Sequence, residues 1–158
     1  MKLSVDQVGL VVTDLEESIE RYAATFGLGD WRIWTYEQKM FSASSFRGGP
    51  ADFSMRLALS GAGPQVELIE PLAGPSIYHE WLAESAGGVH HLGCRVESLD
   101  EAIETLGAKG WELIQMGRGY GADGDGGFAY FDTRADHGTI LEAIEVPRQR
   151  IEPEATVA

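Results

Sequence analysis

The sequence predicts an α+β protein built from two tandem βαβββ modules, and three observations carry that expectation. The segments DQVGLVVTDLEESIERYAATFGLGDW and HHLGCRVESLDEAIETLGAKGW repeat one order of events. An apolar strand is followed by a hydroxyl or acidic cap, a helix with an acidic surface and an apolar stripe, a terminating Gly, and a Trp that opens the next strand. Short apolar runs separated by turn residues follow each helix and read as strands. The length of 158 residues, 44% hydrophobic and 23% charged, suits one substantial core or two small fused modules.

The elements follow in order. In the first strand Val8, Leu10 and Val12 share one face and Gln7, Gly9 and Val11 the other, because alternate residues point to opposite sides of a sheet. Thr13 or Asp14 caps the first helix, whose stripe is Leu15, Ile19, Tyr22, Ala23 and Phe26. Strands are expected over Trp31–Tyr36, Phe53–Leu59 and Gln65–Glu70, closing a module at residue 72. A linker over 73–88 carries a short helix from Ser76 to Ser85 and stops at Gly87 and Gly88. The second module, 89–147, begins with GVHHLGCRV. Its helix is capped by Ser98 with Glu101 in the capping-box position, and Leu99, Ala102, Ile103 and Leu106 form the stripe. Strands over Trp111–Gln115, Gly127–Phe131 and Thr139–Val146 complete it. The tail, 148–158, has charge, Pro and little periodicity and is expected to fray.

Composition excludes several classes of partner. A formal net charge of -13 repels polyphosphate and anionic bilayers, so neither nucleic acid nor a membrane surface is expected as a partner. No apolar stretch reaches the length of a membrane span, and the N-terminal run lacks the charged and apolar regions of a signal peptide. Cys94 is alone, so no intrachain disulfide forms, and a reducing cytoplasm is the expected location. Oligomeric state stays open between a monomer and a homodimer.

Strand parity assembles a candidate metal centre. His91, Gly93 and Arg95 take the Gln7 side of the repeat strand, while His90, Leu92 and Cys94 take the helix side. In QVELIE, Glu67 and Ile69 face away from Val66 and Leu68; in TILEAIE, Ile140, Glu142 and Ile144 share the face opposite Leu141 and Ala143. Gln7, Glu67, His91 and Glu142 therefore converge on one surface. An amide, two carboxylates and an imidazole suit one divalent ion such as Zn²⁺, Co²⁺, Ni²⁺ or Mn²⁺. Two carboxylates facing each other on an apolar sheet repel without a cation between them.

These residues resemble the vicinal oxygen chelate superfamily over roughly Val5 to Pro147, most strongly in VELIEPL, GVHHLGCRVESLDEAI and FAYFDTRADHGTILEAIE. The resemblance implies an open barrel-like mixed sheet with helices outside and one metal on its concave face. The three segments look most like methylmalonyl-CoA epimerases, which implies Glu67, His91 and Glu142 as ligands. Gln7 stands where those epimerases usually have His; some glyoxalase I enzymes have Gln, Glu, His and Glu in this order. Both branches bind substrate through oxygen and move a proton beside a carbonyl through a metal-stabilised enolate or enediolate. The resemblance thus implies a small-molecule substrate, with Glu142 as the first candidate base and Glu67 as its counterpart on the opposite face. Alternatives are a lyase acting on a thiol hemithioacetal and a non-catalytic binding protein of the resistance type.

Secondary candidates are weaker. Arg95 can pair with a substrate carboxylate or thioester oxygen, or can simply snorkel at the sheet edge. Tyr120 or Arg118, in the glycine-dense GRGYGADGDGGF, can contact substrate from a lid, although a long hairpin loop fits the segment slightly better. Glu37 reads as an exposed strand-end residue, and His79 and His137 as surface or turn residues. His90 reads as a hydrogen-bonded core histidine on the helix side, and Cys94 as a small hydrophobe.

Overall fold

The computed structural model describes all 158 residues. In chain order the elements are β1 (Gln7–Val11), α1 (Leu15–Phe26), β2 (Trp31–Tyr36), β3 (Ala43–Phe46), β4 (Gly49–Pro50), β5 (Ser54–Ser60), β6 (Gln65–Ala73), α2 (Ile77–Glu84), β7 (Gly88–Arg95), α3 (Leu99–Gly107), β8 (Leu113–Tyr120), β9 (Gly126–Phe131), α4 (Arg134–His137), β10 (Ile140–Glu145) and β11 (Ala155–Val157). All eleven strands form one mixed sheet in the order β11-β2-β5-β6-β1-β7-β10-β9-β8-β3-β4. The sheet curls into a half-barrel, as the α+β expectation required.

Local chemistry explains where the helices start and stop. Asp14, not Thr13, caps α1, its side chain accepting from Glu17 N at 2.8 Å. The helix ends at Gly27, whose φ of 67° is accessible to Gly without penalty. Ser98 opens α3 by accepting from Glu101 N at 3.3 Å, and Ser76 opens α2 by accepting from His79 N. The two long helices lie on the convex face. Leu15 and Ile19 of α1 pack on Trp31, Ile33, Ala58 and Leu68, and Leu99, Ala102 and Leu106 of α3 pack on Ala129, Phe131 and Ala143. Each fully buried Leu contributes roughly 2 kcal/mol by removing apolar surface from water. The concave face holds a third, aromatic-rich cluster that includes Trp34, Tyr36, Phe41, Tyr78, Phe128 and Tyr130. Trp31 therefore belongs under α1 and Trp34 to the concave side.

The two halves share a pairing scheme. β1 runs parallel to β6, β7 runs parallel to β10, and β1 and β7 pair antiparallel where the halves meet. Each half also lends a strand to the other. The β3–β4 hairpin leaves the first half and adds to β8, and β11 returns from the second half to add to β2.

The structure corrects three expectations. The tail does not fray: Trp34 Nε1 donates to Ile151 O at 3.0 Å, and Thr35 donates to Glu154 through both its backbone N and its hydroxyl. Polar backbone needs partners, and the exposed edge of β2 supplies them. The glycine-dense segment is no long loop, because β8 continues to Tyr120, β9 starts at Gly126, and Ala122 N in the turn between them donates to Gln149 O. His90 does not lie on the helix side. β7 bulges between the Gly9–His91 and Leu10–Val89 pairs, and the extra residue, His90, turns to pack on Tyr78, Trp81 and Tyr130. No helix is long and apolar enough to cross a membrane.

Candidate metal centre

The four strands that carry Gln7, Glu67, His91 and Glu142 lie side by side at the middle of the sheet, in the order β6-β1-β7-β10. All four side chains are buried, His91 completely. His91 Nε2 lies 3.3 Å from Glu67 Oε2 and 3.1 Å from Glu142 Oε2, and ligand atoms of the three residues all fall within 4.8 Å of one another. These same three atoms are buried without a well-formed hydrogen bond. Three unpartnered donors aimed at one point, two of them anionic, are the arrangement a divalent cation satisfies, so the residues fit the ion that the donor set implies.

Small residues make the approach of the strands possible. His91 lies across Gly9, where a β-carbon would sit 1.9–2.0 Å from its ring. At Gly93, opposite Gln7, a β-carbon would crowd Ile144 Cδ1 and the Gln7 side chain at 2.9–3.1 Å. Neither glycine has a side chain to signal a role, and only the antiparallel register reveals what each makes room for. On the other side of the imidazole, the Tyr130 ring packs edge-on at 5.0 Å, and its hydroxyl accepts from Tyr78 at 2.9 Å.

The electrostatics are dominated by burial and by the two facing carboxylates. Burial raises the Glu67 carboxyl above its ordinary range, His91 opposes that, and Glu142 adds to it. For His91, burial works to lower the imidazole, but Glu142 and Glu67 outweigh it and hold it up to about 9. His90 goes the other way: burial, with help from His91 and Arg134, lowers it to about 3. Its Nδ1 lies 3.0 Å from His91 Nδ1, where a neutral His90 can accept. With His90 accepting, His91 donates from Nδ1 and turns Nε2 toward the carboxylates, the orientation a ligand needs.

The centre opens into a narrow cavity of about 40 Å³. Gln7, Glu67 and Glu142 form one polar pole, with Tyr78 and Tyr130 beside them; Met55, Leu57, Leu59, Ile69, Phe128 and Ile144 form apolar walls. Tyr36, Tyr120 and Arg150 line it as well. Of the residues expected near substrate, Tyr120 is therefore brought to the cavity. Arg95 is not: it ends β7 with its side chain in solvent, its backbone N donating to Asp6. Arg118 is engaged with Asp100, and Glu37 is exposed beside Lys39. Arg150, in the segment expected to fray, had no pattern in the sequence to mark it. His79 and His137 are on the surface, and Cys94 is buried on the convex side with its thiol pushed up to about 11 by burial and by Asp6 and Glu142.

Comparison with known proteins bears on this geometry. A family model described as the glyoxalase/bleomycin resistance protein/dioxygenase superfamily matches residues 6–131. The protein YqjC of Bacillus subtilis (strain 168), described as uncharacterized, is 25% identical over 141 residues, covering 89% of this chain and 91% of that one. Among solved structures, a hypothetical protein from Bacillus halodurans C-125 superposes with a TM-score of 0.68 at 21% identity, over 96% of this chain and 100% of that one. The methylmalonyl-CoA epimerase from Mycobacterium tuberculosis gives 0.65 at 24% identity, over 92% and 89%. A variant of the Streptomyces coelicolor methylmalonyl-CoA epimerase in complex with 2-nitronate-propionyl-CoA gives 0.68 at 20% identity, over 95% and 99%. These structural likenesses concern the fold.

Proposed function

The chain belongs to the glyoxalase/bleomycin resistance protein/dioxygenase superfamily, and from that premise we propose that it is a metal-dependent epimerase or isomerase acting on a carbon acid beside a carbonyl, with an acyl-CoA such as methylmalonyl-CoA as the substrate class. The observation that carries the reading is the convergence of Glu67 Oε2, His91 Nε2 and Glu142 Oε2, each buried and unpartnered, beside a cavity with apolar walls. Gln7, Glu67, His91 and Glu142 would hold the ion. When bound, a divalent ion supplies Lewis acidity toward a substrate oxygen and the negative charge that develops on it.

The chain's own groups do the rest. Glu142 and Glu67 approach the cavity from β10 and β6, on opposite sides of β1 and β7. One carboxylate takes the proton from one face of the carbon acid while the other returns it to the opposite face, with Glu142 as the first base. Burial raises the Glu67 carboxyl, which makes it the more basic place for a proton in transit. The walls of Leu57, Leu59, Ile69 and Phe128 exclude water, which strengthens each of these electrostatic interactions. The contact between His90 Nδ1 and His91 Nδ1 orients the His91 ring.

The test has two parts. Protein purified without chelator is expected to carry about one divalent ion per chain, and to incorporate solvent deuterium into methylmalonyl-CoA. Glu142→Gln is expected to slow that exchange by on the order of 10² to 10⁴, the usual contribution of a general base. Full exchange in the variant would remove Glu142 from the role. Gln7 favours a second reading, a lyase acting on a thiol hemithioacetal, because the order Gln, Glu, His, Glu is that of some glyoxalase I enzymes. Turnover of a glutathione hemithioacetal without exchange into methylmalonyl-CoA would select it.

A further inference from the structure

The cavity beside the metal centre is lined by one cationic side chain, Arg150, together with the phenols of Tyr36 and Tyr120. Its neighbour Arg148 is held by Asp125 and Asp123, whereas Arg150 forms no ion pair and lies over the Trp34 ring, 5.9 Å from its centroid. In a chain with a net charge of -13, an unpaired guanidinium lining a cavity is conspicuous. The segment that carries it is not loose. Ala122 N donates to Gln149 O on one side and Trp34 Nε1 to Ile151 O on the other, so the residues flanking the arginine are fixed at the cavity through their backbone carbonyls. Burial pushes the Tyr36 hydroxyl up to about 12, with Arg150 pulling it the other way, and raises Tyr120 as well. Both phenols therefore stay protonated; the Tyr120 hydroxyl donates to Glu145 O at 3.4 Å, which leaves Tyr36 to donate alongside the guanidinium.

We infer that Arg150, with Tyr36 and Tyr120, is the specificity-determining end of the cavity and binds a carboxylate of the substrate while its carbonyl lies at the Gln7–Glu67–His91–Glu142 end. A guanidinium fork matches the two oxygens of a carboxylate, and apolar walls make the pairing strong. The inference rests on the proposed function and narrows it to substrates with an anionic group at a fixed span from the reacting carbonyl. It also gives the tail a role in the chemistry of recognition.

The test is a binding measurement that needs no turnover. Protein carrying the metal it is purified with is titrated calorimetrically with malonate, succinate and glutarate, and with acetate as the single carboxylate. Wild type is expected to bind the dicarboxylate of matching span at least tenfold more tightly than acetate. Arg150→Gln is expected to lose that advantage, a loss on the order of 10- to 100-fold for a charged hydrogen bond, while keeping its acetate affinity. Arg150→Lys should restore part of it. The inference is overturned if no dicarboxylate outbinds acetate, if Arg150→Gln keeps the advantage, or if the variant loses acetate equally, which would make Arg150 only a structural tie. Dicarboxylate selectivity without deuterium exchange would sink the epimerase reading and leave this one standing. Exchange that proceeds with no effect of Arg150→Gln on dicarboxylates would do the reverse.

Discussion

At the scale of single residues, a protonated His91 offsets one of the two carboxylate charges beside it even without an ion. The imidazole, held up to about 9 by Glu142 and Glu67 against its own burial, takes the place of the cation when none is bound. Its proton must leave before Nε2 can ligate, so metal and proton compete. Apparent metal affinity is expected to rise as pH goes from about 6.5 to about 9, with proton release on binding, measured by calorimetry in buffers of different ionisation enthalpy. The same group sets the pH dependence of the chelator-treated protein. A folded value above the ordinary 6.5 stabilises the fold fully below pH 6.5 and loses that contribution as pH rises through about 9. Melting temperatures in EDTA are therefore expected to fall across that window, and the metal-loaded protein should lack the slope. His91→Ala should abolish stoichiometric metal while leaving two buried carboxylates facing each other; metal analysis of the purified variant checks it.

At the scale of elements, the centre depends on how closely β1 and β7 approach. Gly9→Ala puts a methyl 1.9–2.0 Å from the His91 ring, and neither strand can shift without breaking its ladder. We expect a loss of about 1–3 kcal/mol in stability, as for other overpacked cores, and at least a tenfold loss of metal affinity, read by urea unfolding and by metal titration of the same variant. Strand parity was enough to bring Gln7, Glu67, His91 and Glu142 together, because a period of two leaves each side chain only two faces to choose from. It failed at His90 for the same reason, since the bulge inserts one residue and breaks the count locally. Helix α1 was legible from its stripe, with only the choice between Thr13 and Asp14 left to geometry. The hairpin β3–β4 and strand β11 were not legible, because their partners lie in the other half of the chain and short polar strands carry no period of their own.

At the scale of the molecule, each half finishes the other. β11 covers the edge of β2, and the β3–β4 hairpin covers the edge of β8. The sheet is left with two outermost strands of three and two residues, too short to template pairing with another chain. A homodimer, if formed, would use other surfaces. Removing residues 148–158 exposes β2 and uncovers Trp34, and is expected to cost about 1–3 kcal/mol with a red shift in tryptophan emission; a frayed tail would leave both unchanged.

The exchange of strands also fixes an order of events in time. Residues 1–73 include only half of the cavity wall and two of the four proposed ligands, Gln7 and Glu67, while the edge strand β2 waits for residues 155–157 and the cavity for Arg150. A ribosome delivering this chain at about 5–20 residues per second therefore holds an unfinished vessel for several seconds. A cell that makes this protein must keep the aromatic concave face from sticking to other nascent chains over that interval, and ligand has no closed site to enter until the final strand has docked.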